Sequence, residues 1–312
     1  MTGGRGPDTR VPAEDAWWGS AAAGGQAPPP RRRRARAGVI VAVLTAVALA
    51  AVGALTLGPL LADGGDPEGG SGARVAPGEF PGPESTGVPA GVALEPSGPV
   101  TVERDGTVLD GLDVDGCLKI AASDVVIRRS RIRCAGYFPI HVTEEARGVL
   151  IEDVEIDGTG DVRSIAVSGG NYTLRRANVH DVGDGPRMGS NTVVEDSWIH
   201  DLVVEKGSHN DGIQSTGGSN IRILRNRIEH PHEQTSCILI GADLGPIHDV
   251  LIQGNLLNGG NYTVYAGGDE GYSDIRIVGN RFGRDAVYGT HSLQPGVEFS
   301  GNVWDDTGKP VT

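Results

Sequence analysis

Ile223-Leu224-Arg225-Asn226-Arg227-Ile228, Ile252-Gln253-Gly254-Asn255-Leu256-Leu257, Ile277-Val278-Gly279-Asn280-Arg281-Phe282 and Phe299-Ser300-Gly301-Asn302-Val303-Trp304 are four versions of one hexapeptide. Each opens and closes on an apolar residue and carries asparagine three residues after the first. Toward the N-terminus the same apolar pair recurs as Leu109/Val114, Ile127/Ile132, Ile151/Ile156, Leu174/Val179 and Val194/Ile199, which makes nine copies in all. Successive copies begin 18 to 29 residues apart. Repeats of this length mark stacked supersecondary units. The units are short, alternating and rich in Val and Ile, which is the pattern of strands. Helical repeats need alanine- and leucine-rich amphipathic runs, and none is present.

Coils of three short strands and their turns stack as a parallel β-helix. Each coil adds about 4.8 Å, the ordinary strand spacing, and the inward residues form one continuous apolar core. Asn226, Asn255, Asn280 and Asn302 then fall in one column, where asparagine side chains can hydrogen-bond along the axis and tolerate left-handed backbone. Cys117 and Cys134 lie eight and seven residues past their anchors on adjacent coils. Stacked Cα atoms about 5 Å apart suit a disulfide, so either that bond or two free thiols is expected. Cys237, in the apolar run Cys237-Ile238-Leu239-Ile240, reads as core.

Composition agrees. Glycine is 49 of 312 residues with no G-X-Y period, which excludes a collagen helix. Three cysteines exclude a disulfide-dense scaffold and a four-cysteine zinc module. The net charge of −13 argues against nucleic acid as a partner. It divides as +4 over residues 1–62 and −17 over the remainder. Residues 1–36 read as a disordered basic tail ending in Arg31, Arg32, Arg33, Arg34 and Arg36. Residues 37–62 are 26 uncharged residues, enough for one transmembrane helix. The arginines place the tail in the cytoplasm and the rest outside. A cleaved signal peptide is the alternative. Residues 63–90 read as a flexible linker, and residues 91–312 as an extracellular β-helix ectodomain.

With Thr86-Gly87-Val88-Pro89, Asp110-Gly111, Ser208-His209-Asn210-Asp211-Gly212-Ile213-Gln214 and the closing Gly301-Asn302-Val303-Trp304-Asp305-Asp306, residues 86–312 resemble the right-handed parallel β-helix, or pectate-lyase-like, superfamily. They are similar in particular to secreted actinobacterial proteins of that type. The resemblance implies a carbohydrate-active protein: a polysaccharide lyase, glycoside hydrolase, uronan epimerase or depolymerase.

Strand alternation places candidate side chains. With Ile140, Val142, Ile213 and Val264 inward, His141, Gln214 and Tyr265 share one outer sheet face. His209 and Asp211, two apart, share one side of the chain beside Gln214 and read as outward. They follow Lys206 in one of the two longest coils, where extra length suggests a loop over a groove. Asp157, His180, His200 and Glu229 fall six residues past their anchors, and Asp181, Asp201 and His230 come next. His232 and Glu233 extend this cluster. The His-Asp dipeptides can alternatively be turn caps. His209 or Lys206 could act as a base, and Asp211 with Glu233 or Asp201 could form a carboxylate pair. Gln214, His200, Asp201, His180, His232, Tyr265 and His141 would bind substrate. A divalent cation could be held by these histidines and carboxylates, although no spacing motif fixes one. Trp198 and Trp304 read as core, and Asn171-Tyr172-Thr173 and Asn261-Tyr262-Thr263 as turns. The expectation is a cell-surface enzyme acting on a polysaccharide or cell-wall glycan. The alternative is a non-catalytic glycan-binding module or adhesin.

Overall fold

The computed structural model describes residues 79–233 and 235–312; the basic tail, the apolar run 37–62 and the linker up to residue 78 lie outside the described residues. No helix among the described residues is long and apolar enough to cross a membrane. The described chain is all-β. Its strands form three parallel sheets, here called A, B and C, of ten, nine and nine strands. The chain visits A, B and C in turn, so each strand pairs with the coil before and the coil after. This is a parallel β-helix.

Both apolar columns read from the sequence are in register along all nine copies. Leu109, Ile127, Ile151, Leu174, Val194, Ile223, Ile252, Ile277 and Phe299 line sheet C. Val114, Ile132, Ile156, Val179, Ile199, Ile228, Leu257, Phe282 and Trp304 line sheet A. Most of these side chains are fully buried and merge into one core with the inward residues of sheet B, such as Ile140, Ile213, Ile238 and Val264. Trp304 closes the sheet A column, partly buried against the core, with the Arg284 guanidinium 3.7 Å from its ring centre. Trp198 is a correction. It precedes the inward Ile199, so strand alternation turns it outward and leaves it half-buried.

The corner between sheets C and A carries two stacked devices. The first is the asparagine ladder. Each Oδ1 accepts a backbone N–H from the coil below: Ser197 to Asn226, Asn226 to Asn255, Asn255 to Asn280 and Asn280 to Asn302, at 2.8 to 3.0 Å. Each Nδ2 donates to a carbonyl, as Asn255 does to Ile223 at 2.9 Å. All four asparagines are buried, so the ladder satisfies backbone groups that water cannot reach. The second was not read from the sequence. The preceding positions Arg129, Asp153, Arg176, Asp196 and Arg225 all adopt left-handed φ and alternate in charge. Arg176 Nε donates to Asp153 at 2.6 Å and Arg225 Nε to Asp196 at 2.7 Å. Such two-point pairs offset part of the roughly 1–2 kcal/mol that non-glycine residues lose in this conformation.

Cys117 and Cys134 form a disulfide, with Cα atoms 5.1 Å apart. Cys237 is buried, as expected. Residues 79–90, the end of the linker as read from the sequence, lie against the coils. Gly87 N–H donates to the Arg176 carbonyl, the Thr86 hydroxyl caps Gly82, and Pro81, Thr86 and Gly87 are buried.

Candidate functional site

Coil length varies at the two corners that flank sheet B, and the buried acids gather at the one from sheet A to sheet B. The strand Glu155–Ile165 runs through it and pairs, with register shifts, to the strand Asn178–Asp184. Two glycines let the next coils close up: a Cβ on Gly185 would overlap the Gly212 carbonyl oxygen, and one on Gly212 the Ile228 side chain. That close approach stacks Asp184 beneath Asp211.

Asp211 is only 1 % exposed and Asp184 9 %. Asp184 Oδ1 accepts the Asp211 N–H at 2.9 Å. Asp211 Oδ1 accepts the Ser236 N–H at 3.1 Å and its hydroxyl at 2.6 Å. Gln214 Nε2 donates to Asp211 Oδ2 at 3.0 Å, and the Arg187 guanidinium lies 3.4 Å from Asp184 Oδ2. Burial, and then the Asp184 charge, pushes the Asp211 carboxyl up to about 7. Burial pushes Asp184 up to about 6 against the Asp211 N–H and Arg187. Asp211 therefore corrects the outward reading. It has the parity of the buried Ile213 and Ser215, and Gln214 alone of its strand points out half-exposed.

The outer face of sheet B carries one register row: Lys119, His141, Ser168, Arg187, Gln214, Leu239, Tyr265 and Ser292. His141, Gln214 and Tyr265 share it, as alternation placed them. Arg187 and Gln214 are neighbours in the row, directly beside the acid pair. Tyr265 meets Tyr262 edge-on at 5.4 Å, and Tyr262 lies 5.6 Å from the exposed Tyr288. Burial, then Tyr262 and the Asp211 charge, pushes the Tyr265 hydroxyl up to about 12. His141 stacks on Phe138 at 5.1 Å.

The remaining candidates lie elsewhere. His180 and His200 stand on the outer face of sheet A, with ring centres 5.6 Å apart. Their Nδ1 atoms are each 2.7 Å from the following Asp181 or Asp201 carboxylate. Both aspartates have left-handed φ, so these dipeptides form corners in which each carboxylate holds its own imidazole. Glu155, then Asp181, push His180 up to about 9. His200 is lowered by burial. It bonds Asn178 Oδ1 at 2.8 Å and stacks on Trp198 at 3.6 Å, and the Trp198 indole N–H donates to Glu229 at 2.8 Å. His230 is buried, with Nε2 2.8 Å from the Asn210 carbonyl, and burial lowers it. His232 bonds the Leu202 carbonyl at 2.9 Å. Lys206, His209 and Glu233 are exposed on the corner loops.

Sequence reasoning missed Asp184 and Arg187, which neighbour Asp211 and Gln214. The available signal was Gly183-Asp184-Gly185, an acid between two glycines at a coil corner. It also missed Tyr262 and Tyr288. Comparison with known proteins finds no family model, no curated protein and no solved structure that matches the chain.

Proposed function

We propose that this chain is a pectate-lyase-like, right-handed β-helix protein of the cell surface that cleaves or modifies a polysaccharide on the outer face of sheet B. In this reading the run 37–62 spans the membrane and the β-helix lies outside. The observation that carries it is the Asp184–Asp211 pair, two carboxyls stacked on adjacent coils under Arg187 and Gln214. Neighbouring buried carboxyls do not readily ionise together. Near neutral pH one therefore holds a proton while the other can accept one, which is what general acid–base chemistry requires. Arg187 and Gln214 link the pair to the open face. Tyr262, Tyr265 and Tyr288 offer ring faces for stacking sugars. Lys119 and Arg187 bring cations to one row, which favours an acidic chain despite the negative domain.

A glycan-binding module or adhesin is the second reading. The exposed Tyr288, 5.6 Å from Tyr262, favours it, because open aromatic faces are what a passive sugar platform needs. Incubating the full chain with acidic and neutral polysaccharides separates the two. Unsaturated-uronate absorbance and reducing ends are read in parallel with binding. Turnover in either channel supports the enzyme, and retention without turnover supports the binder.

A further inference from the structure

Around the corner from the acid pair, sheet A carries a cluster that the proposed reaction does not use. Glu155 and Asp157 project from one strand, and His180 from the next in register with Asp157. One nitrogen of His180 and one carboxylate oxygen each of Asp157 and Asp181 lie within 4.8 Å of one another. The imidazole is flanked at both nitrogens, with Nδ1 2.7 Å from Asp181 and Nε2 3.6 Å from Glu155. Three carboxylates thus converge on one ring. The nearby arginines are turned to another acid: Arg131 Nη2 lies 2.7 Å and Arg133 Nη2 3.6 Å from the Asp113 carboxylate. The imidazole is the cationic ring these carboxylates contact directly, while Arg131 acts on Glu155 and Asp157 from the neighbouring strand.

We propose that Asp157, His180 and Asp181 form a binding site for a divalent metal of the zinc type, with Glu155 at the other ring nitrogen orienting the imidazole. A mixed imidazole and carboxylate set suits Zn2+, whereas Ca2+ and Mg2+ take oxygen ligands. Ligand atoms around a tetrahedral zinc lie about 3.4 Å apart, so the three groups, already within 4.8 Å of one another, need only a small side-chain movement to close on an ion. Asp181 is half-exposed, which leaves it free to do so. The strands beneath are fixed by their ladder, including Asp181 N–H to the Asp201 carbonyl at 3.1 Å. The site does not depend on whether the acid pair turns over a glycan.

The test is a titration of the metal-free full chain with Zn2+, and separately with Ca2+, read by calorimetry. One Zn2+ per chain is expected. His180→Ala and Asp157→Asn should each weaken it by more than about 100-fold, since partners outside the ligand shell alone are worth about 10- to 100-fold. His248→Ala, at an exposed histidine on sheet C, should leave it unchanged. Should His180→Ala lower the melting temperature, Asp181→Asn gives the same readout from a half-exposed side chain. No stoichiometric Zn2+ on the wild type, binding that survives these variants, or Ca2+ taken in place of Zn2+ would overturn the site.

Discussion

At the scale of single residues, two carboxyls keep their protons longer in the folded chain than in the unfolded one. Both rise from the ordinary 3.8, Asp184 to about 6 and Asp211 to about 7. Between about pH 4 and pH 7 the native state therefore binds more protons than the unfolded chain, and the slope of unfolding free energy with pH is negative. Their contribution to stability is full below about pH 4 and lost as pH rises through the folded values, on the order of a few kcal/mol in all. Asp211→Asn removes one of them. Denaturant melts of wild type and variant across this window should show the wild type losing stability relative to Asp211→Asn as pH rises. Parallel curves would mean that Asp211 ionises like any surface carboxyl. The exposed His209 stands outside this pair, so His209→Ala is expected to cost far less activity than Asp211→Asn.

At the scale of the elements, the corner ladder is the most cooperative feature. Asn255→Ala strips acceptors from the Asn226 N–H and side-chain amide, and a donor from the Ile223 carbonyl. Buried groups left unpaired this way should cost roughly 2–4 kcal/mol. Arg276→Ala, which breaks only half-exposed ion pairs, should cost less than about 1 kcal/mol. Equal losses would remove the ladder argument. The Cys117–Cys134 bond closes a loop with a sequence separation of 17, so reduction should lower stability by about 3 kcal/mol. A reductant that leaves the melting curve unmoved would contradict this. These elements also show what the sequence could reveal. Sheets C and A are joined by a turn of constant length, so their apolar pairs repeat at a fixed offset and all nine copies were legible. Sheet B follows a corner of variable length, so its inward positions drift relative to the anchors. That drift hid the parity of Asp211 and the neighbourhood of Asp184 and Arg187. Trp198 was misread for a related reason: it was assigned to an apolar position of the repeat, although its neighbour Ile199 already filled the inward position.

At the scale of the whole molecule, the charge asymmetry and the uncharged run 37–62 carry the proposed topology. Protease added to intact cells should digest the β-helix and spare the basic tail. A soluble form beginning near Asp63 would favour a cleaved signal instead. The fold was legible because a stacked coil writes its spacing into every repeat. The reaction is less legible because its groups meet only after coils of 18 to 29 residues are wound together. The central claim is that the Asp184–Asp211 pair handles protons for chemistry on a polysaccharide held by sheet B. Its most direct test is the initial rate of full-length wild type and Asp211→Asn, side by side, on whichever polysaccharide the wild type consumes. With both proteins folded at the assay temperature, Asp211→Asn should be slower by on the order of 10²-fold or more; equal rates would contradict the account.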